Sequence, residues 1–374
     1  RDKQGVVLKY SKEAPMPRPL YKGKAPYKPL SNKAIHRILH DNNPQYSLSD
    51  DLPSVDPKQP ASDEQDAVFI FKNPDELMEN VVGVTKFLAD KVDEDGTLTV
   101  IPTLDGKYYL HDEFGNYWRV YKFIDNATAY DKIENDNDFY TCGLAFGEFQ
   151  QLLAEYPAEK LHETIVNFHN TPSRFADFKK ALAEDKMGRA KDVQAEIDFV
   201  LARECKADAI TSKLESGEIP YRVTHNDTKL NNILIDNETG KAKCVIDLDT
   251  IMPGAAAYDF GDSIRFGAST GAEDETDLSK ISVSTHLFEV FAKGYLSTAN
   301  KFLTPAEKDS LVTGAYLMTL ECGVRFLADY LNGDVYFRIH RENHNLDRCR
   351  TQFKLVSDME AKEAELRAIV NSIK

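Results

Sequence analysis

Apolar and polar residues follow two rhythms along this chain, and the change between them falls near residue 124. Ahead of it, residues 98–102, 108–111 and 117–124 are short runs rich in β-branched and aromatic side chains. Turns at Asp105-Gly106 and Phe114-Gly115 separate them, which predicts strands. Between 75 and 92, Leu77, Val81, Val84 and Leu88 recur at helical spacing behind Pro74, a residue suited to a first helical turn. Beyond 124 the period is helical, over 138–155, 172–185, 190–205, 284–296 and 305–331. The last stretch, 346–373, carries the stripe Leu346, Cys349, Phe353, Val356, Met359, Leu366, Val370 and Ile373, broken by Glu363. That break favours packing against the chain's own helices over a coiled-coil partner. No internal repeat is visible.

One strand-turn-strand pattern interrupts the helical part. Ile233, Leu234 and Ile235 precede a polar turn at 236–240, and 242–246 runs back. A hairpin returns its end to its beginning, so Asn232 before it and Asp247 after it are expected at one end of the ribbon, able to grip one ion. Hard oxygen ligands of this kind suit Mg²⁺, which takes further ligands from water and nucleotide phosphates. Just upstream, His225, Asp227 and Asn232 fill the His-x-Asp-x-x-x-x-Asn pattern of a phosphoryl-transfer catalytic loop. Asp227 is the expected base for an acceptor hydroxyl, and Lys229 offsets charge on the transferring group. The plainer alternative is a surface turn of Asp, Asn and His, with Lys229 solvated. The ordered strand and second acid argue against it. Asp247, Asp249, Asp259 and Asp262 crowd the same region, which a core tolerates only if cations or helix ends receive them. Asp259 reads as structural, whereas Asp262 with Arg265 is open between a part in this acidic cluster and a plain i,i+3 pair on a helix surface.

Charge narrows the partners. The net charge of −15 argues against nucleic acid, which needs clustered Lys and Arg. Locally, residues 1–37 carry ten Lys or Arg against two acids, and 38–66 carry seven acids against Lys58. With Pro15, Pro17, Pro19, Pro26 and Pro29 interspersed, 1–66 reads as a polar, largely irregular extension. Cys142, Cys205, Cys244, Cys322 and Cys349 lack metal spacing and suit a reducing compartment. No stretch approaches a membrane span, and the basic start lacks a signal-peptide core. A cytoplasmic location is the expectation, as is a missing upstream piece, since the chain does not begin with Met.

The stretch from about Phe69 onward resembles the aminoglycoside phosphotransferase and choline kinase family, and within it the N-acetylhexosamine 1-kinases. The resemblance rests on residues 118–124, 168–172, 222–234, 246–254, 259–270 and 321–336. It implies an α+β, protein-kinase-like fold of the aminoglycoside phosphotransferase type: a small mixed lobe at 67–124, a hinge, and a large mainly helical lobe at 125–374. It further implies ATP-dependent phosphorylation of a sugar's anomeric hydroxyl by a monomer, with Asp227 as base and Asn232 and Asp247 on Mg²⁺. Phe266, Arg325, Tyr336 and Asp247 would meet the sugar, and the hinge residues Phe123, Ile124 and Asp125 the nucleotide. Arg325 lies in an otherwise apolar helical stretch, where Glu321 at i−4 could be its whole purpose, and Tyr336 could be a plain core aromatic.

The first 66 residues depart from the family pattern. They hold only Gly5 and Gly23, so no Gly-rich phosphate loop can be read there. Residues 6–9 have the look of a strand ending in lysine, but a solvated tail is the preferred reading. Glu76 and Glu79 are the candidate partners for a strand lysine. Competing functions are a kinase for another small alcohol, such as choline, homoserine or an aminoglycoside, and a sugar-binding protein that has lost turnover with its phosphate loop.

Overall fold

The computed structural model describes residues 6–8, 73–111, 117–130 and 132–374. Its first element is a finding against expectation. Val6–Leu8 (β1) is not tail but a strand, antiparallel to Val120–Lys122 (β4), with Val7 opposite Tyr121. Three consecutive apolar residues meeting an exposed strand edge satisfy backbone donors that a solvated tail would leave to water. The rest of the extension, with Lys9 and the question of a Gly-rich loop, lies outside the described residues.

Pro74–Ala89 (α1) begins where predicted, capped by Asn73, whose side chain accepts from the backbone N–H groups of Asp75 and Glu76. Leu110–His111 (β2) and Tyr117–Trp118 (β3) pair antiparallel, and β4 follows. Ala127–Thr128 (β5) then crosses to the predicted hairpin, pairing with Ile233–Asp236.

The helical part contains Asp136–Leu152 (α2), Thr171–Glu184 (α3), Gln194–Leu201 (α4) and Thr211–Glu215 (α5). Then come Arg222–Thr224 (β6), Ile233–Asp236 (β7), Ala242–Val245 (β8) and Met252–Gly254 (β9). Ala256–Gly267 (α6), Thr285–Ala299 (α7), Pro305–Asn332 (α8) and His344–Ser372 (α9) complete the chain. Helix α8 starts on a Thr304–Glu307 capping box and ends at Gly333 with φ 102, the left-handed stop that suits glycine. By length and composition α8 could cross a membrane, contrary to the sequence reading, but most of it is buried against α3, α6 and α9.

Two apolar clusters meet at the hairpin. Alternation along β7 sends Ile233 and Ile235 into the cluster formed by the helices. Leu234 joins α1, Ile124, Ile246, Leu248 and Ile251 in the other. The segment between the clusters is thereby gripped from both sides. Helix α6 lies against α8 through Gly261, where a Cβ would come within 2.5 Å of the Gly314 backbone.

Candidate active site

The catalytic loop leaves β6, whose first residue is anchored. Arg222 donates to both carboxylate oxygens of Glu307 at 2.8 and 2.9 Å. His225 follows, fully buried, one ring nitrogen 2.9 Å from the Ile246 carbonyl. Asn226 then adopts φ 64, a left-handed conformation that turns the chain toward Asp227.

Asp259 holds this turn from below. Its carboxylate accepts from the His225 and Asn226 backbone N–H groups at 2.9 and 2.8 Å, and from Gln150 Nε2 at 2.6 Å. Tyr295 Oη donates to Gln150 Oε1 at 2.5 Å, which fixes the amide so that its N–H group faces Asp259. Burial pushes the Asp259 carboxyl above its ordinary range, while His225 and the three donors act the other way. The structural reading of Asp259 is therefore right. Asp262 departs from the surface alternative: it and Arg265 are both buried, joined at 2.9 Å. Asp262 also accepts from the Thr228 backbone N–H at 3.1 Å, so the pair supports the loop instead of decorating a surface.

Asp227 is engaged on both sides. Lys229 Nζ lies 2.6 Å from Oδ1, and Asn232 Nδ2 donates to Oδ2 at 3.1 Å and to the Asp227 carbonyl at 2.7 Å. The hairpin closes as its pattern predicts, with the Ile246 N–H donating to the Asn232 carbonyl at 2.9 Å. Asp247 follows at φ 60. Asn232 Oδ1 is buried with no hydrogen-bond partner. A buried amide oxygen left this way costs about 1–3 kcal/mol, and it belongs to the hairpin end from which Asp247 follows, where a hard cation would satisfy it. The residues present fit Mg²⁺.

Arg325, on α8, is packed among aromatic rings, 5.6 Å from the centroids of Phe168 and Tyr336 and 5.3 Å from Phe337. Its Nη2 donates to Tyr336 Oη at 3.4 Å. Glu321, the alternative partner, is spoken for by His169 Nδ1 at 3.0 Å and Thr171 Oγ1 at 2.8 Å. Burial would raise the Glu321 carboxyl, but the His169 hydrogen bond and the charges of His169, Arg325 and Arg174 outweigh it and hold the pKa below 4.5. Tyr336 is half exposed, at 52%, and so is no core aromatic. A cleft of about 360 Å³ lies between α3 and α8, lined by Arg174, Arg325, Tyr336 and Phe337 among others. Phe266 is outside the lining of that cleft, partly exposed, its ring centroid 6.0 Å from Lys229 Nζ. His169 links the two places, with Nε2 3.5 Å from the Asn226 carbonyl.

At the hinge, the Ile124 side chain is buried in the second apolar cluster. The Asp125 carbonyl accepts from Lys243 Nζ at 2.8 Å, and Phe123 is partly exposed. Neither candidate glutamate is paired with a strand lysine among the described residues, since Glu79 faces His162 at 2.6 Å and Glu76 makes only a capping contact. Sequence reading missed Gln150, His169 and Arg119. Arg119 and His169 left a signal, within the strings 118–124 and 168–172, and Gln150 left none.

Residues 63–281, more than half of the chain, match the phosphotransferase enzyme family, APH. The chain belongs to that family. Among solved structures, an aminoglycoside phosphotransferase from Alicyclobacillus acidocaldarius is similar with a TM-score of 0.55 at 13% identity, over 80% of this chain and 85% of that one. A microcompartment-associated aminopropanol kinase gives 0.49 at 17% identity, over 79% and 83%. A choline kinase from Cryptosporidium parvum gives 0.45 at 14%, over 81% and 82%. The phosphotransferase thus has the aminoglycoside phosphotransferase type of protein-kinase-like fold, α+β in class.

Proposed function

We propose that this phosphotransferase moves the γ-phosphoryl group of ATP to the anomeric hydroxyl of an N-acetylhexosamine, giving the sugar 1-phosphate. The observation that carries the acceptor assignment is Arg325, a guanidinium among three aromatic rings whose nearby carboxylate, Glu321, is committed to His169 and Thr171. Such a group suits an acetamido carbonyl, and the neighbouring rings suit a hexose face. A cationic acceptor such as choline, the second reading, would want carboxylates or an aromatic cage without a guanidinium in it. Aminopropanol, choline and aminoglycoside phosphotransfer are named for the similar structures and keep that reading in the test.

In this mechanism Asp227 accepts the proton of the acceptor hydroxyl as its oxygen bonds to the γ-phosphorus and the bond to the β-phosphate oxygen breaks, releasing ADP. Lys229, paired with Asp227 in the free protein, turns to the transferring phosphoryl oxygens as the acceptor takes its place. Asn232 and Asp247 would hold Mg²⁺, which supplies neutralisation of the phosphate charge. Phe123, Ile124 and Asp125 would meet the nucleotide base through hinge backbone. Phe266 and Tyr336 would flank the sugar, with Asp247 near it. The reaction calls for a compartment with ATP, consistent with a cytoplasmic monomer, and needs neither nucleic acid nor membrane.

The test is purified protein with ATP, Mg²⁺ and a panel of free N-acetylhexosamines, plain hexoses, choline, homoserine and an aminoglycoside. Product is read by phosphorus NMR. Sugar 1-phosphate from N-acetylhexosamines is expected, and phosphorylation of an amino alcohol alone would move the assignment to the second reading.

A further inference from the structure

Among the described residues the small lobe presents a largely buried cation to the metal-binding turn, an arginine where kinases of this class use a lysine. Arg119, between β3 and β4, forms an ion pair with Asp249, two residues past Asp247. Its side chain is 16% exposed. Nη1 also reaches Met78 Sδ of α1 at 3.9 Å, so one side chain touches the strand, the helix and the turn. The same turn is tied down elsewhere. Asn80 of α1 donates to the Ile251 carbonyl at 2.9 Å, Thr250 Oγ1 donates to the His225 carbonyl at 2.6 Å, and Asn226 Nδ2 donates to the Thr250 carbonyl at 2.8 Å. Asp247 therefore sits on a turn whose one flank is fixed by the catalytic loop and the other by the small lobe.

Two residues on, extended backbone returns Tyr121 to the face of Arg119, with its ring centroid 5.2 Å from the guanidinium carbon. Tyr121 Oη is buried with no hydrogen-bond partner. A buried phenol normally finds one, and an orphan of this kind asks for a ligand atom. Burial pushes the phenol's pKa up, with the charges of Asp249 and Asp247 acting the same way and Arg119 opposing them, so the group keeps its proton. The phenol is thus a donor with its hydrogen to give, lying against the guanidinium that holds Asp249.

We propose that Arg119 and Tyr121 form the small lobe's contact with the phosphate end of the donor nucleotide: Arg119 positions Asp247 by holding Asp249, and the Tyr121 hydroxyl donates to a polyphosphate oxygen. This rests on the kinase reading of the site and is independent of which acceptor is used. It assigns to Arg119 the lobe-joining part that a strand lysine and helix glutamate play in other kinases.

The test uses the full chain and a non-hydrolysable ATP analogue with Mg²⁺, measured by calorimetry, alongside thermal unfolding. Y121F removes a hydroxyl that has no partner in the free protein, so unfolding is expected at the wild-type temperature or above. Nucleotide affinity should fall about ten- to a hundredfold, the loss of one hydrogen bond to a charged group. The double variant R119M/D249N removes both members of the ion pair without stranding a buried charge. It should weaken the Mg²⁺-nucleotide complex at least about tenfold while the acceptor KM stays near wild type. Wild-type nucleotide affinity in Y121F, or an equal loss of nucleotide and acceptor binding in the double variant, would overturn the inference and leave the kinase reading standing. No nucleotide binding by the wild-type protein would overturn both.

Discussion

Asp259→Asn probes the support of the catalytic loop with the smallest change of shape. The carboxylate serves three donors: Asn226 N–H on Oδ1, and His225 N–H with Gln150 Nε2 on Oδ2. An asparagine can keep its oxygen at the position that serves two of them, but its NH₂ group then faces the Asn226 N–H. Gln150 cannot turn over to help, because Tyr295 holds its oxygen. Stranding one buried backbone donor costs about 1–3 kcal/mol, and the two remaining bonds weaken by up to about 1 kcal/mol each when the acceptor loses its charge. Relief of the carboxylate's desolvation offsets part of this, leaving a net loss of about 2–4 kcal/mol. Urea unfolding measures it. The turn affected is the one at φ 64 that delivers Asp227, so kcat should fall at least about tenfold while acceptor KM changes little. A variant within about 0.5 kcal/mol of wild type, with unchanged kcat, would refute the claim that Asp259 sets this loop.

Asp227→Asn should keep the fold and acceptor affinity while turnover falls by about two to four orders of magnitude, checked by calorimetry and steady-state kinetics. Arg325→Ala should lose N-acetylhexosamines more than plain hexoses, because about 1–3 kcal/mol of polar pairing is removed from one and not the other; equal losses in kcat/KM would make Arg325 a structural residue. Glu321, whose folded pKa lies below 4.5, binds fewer protons in the folded state than in the unfolded one. Its stabilisation is therefore fully present above about pH 4.5 and lost as pH falls through the lower folded value. The stability gap between wild type and Glu321→Gln should narrow on acidification below pH 4.5, and a gap constant with pH would show that the charge is not what Glu321 contributes.

What could be read from the sequence was local. The hairpin bringing Asn232 to Asp247 followed from a three-residue apolar run, a polar turn and a return, and the Ile246 to Asn232 hydrogen bond closes it. Helices α1, α7 and α8 began close to where their caps and apolar spacing put them. What escaped was long-range pairing between polar groups. Gln150 and Asp259 stand 109 positions apart, and no periodicity announces that a buried glutamine will meet a buried aspartate. Arg119 and Asp249 escaped for the same reason. The sequence left the Asp262–Arg265 pair open between surface and site because charged residues normally seek water, whereas α6 is wedged against α8 and buried nearly all round. Val6–Leu8 was misread because a strand of three residues is defined by the edge it joins, and β4 supplies that edge 114 residues later. The left-handed backbone at Asn226 and Asp247, on which the direction of both side chains depends, is equally silent in sequence, although Asn and Asp tolerate it best.

The central claim is the transfer of phosphate from ATP to the anomeric oxygen of an N-acetylated hexose, and phosphorus NMR of the reaction mixture addresses it most directly. With ATP, Mg²⁺ and N-acetylglucosamine or N-acetylgalactosamine, the account predicts a sugar phosphate whose phosphorus is coupled to the anomeric proton, formed faster than from glucose or galactose. A phosphate ester at any other hydroxyl, or turnover of choline or an aminoglycoside with none of the sugars, would contradict it.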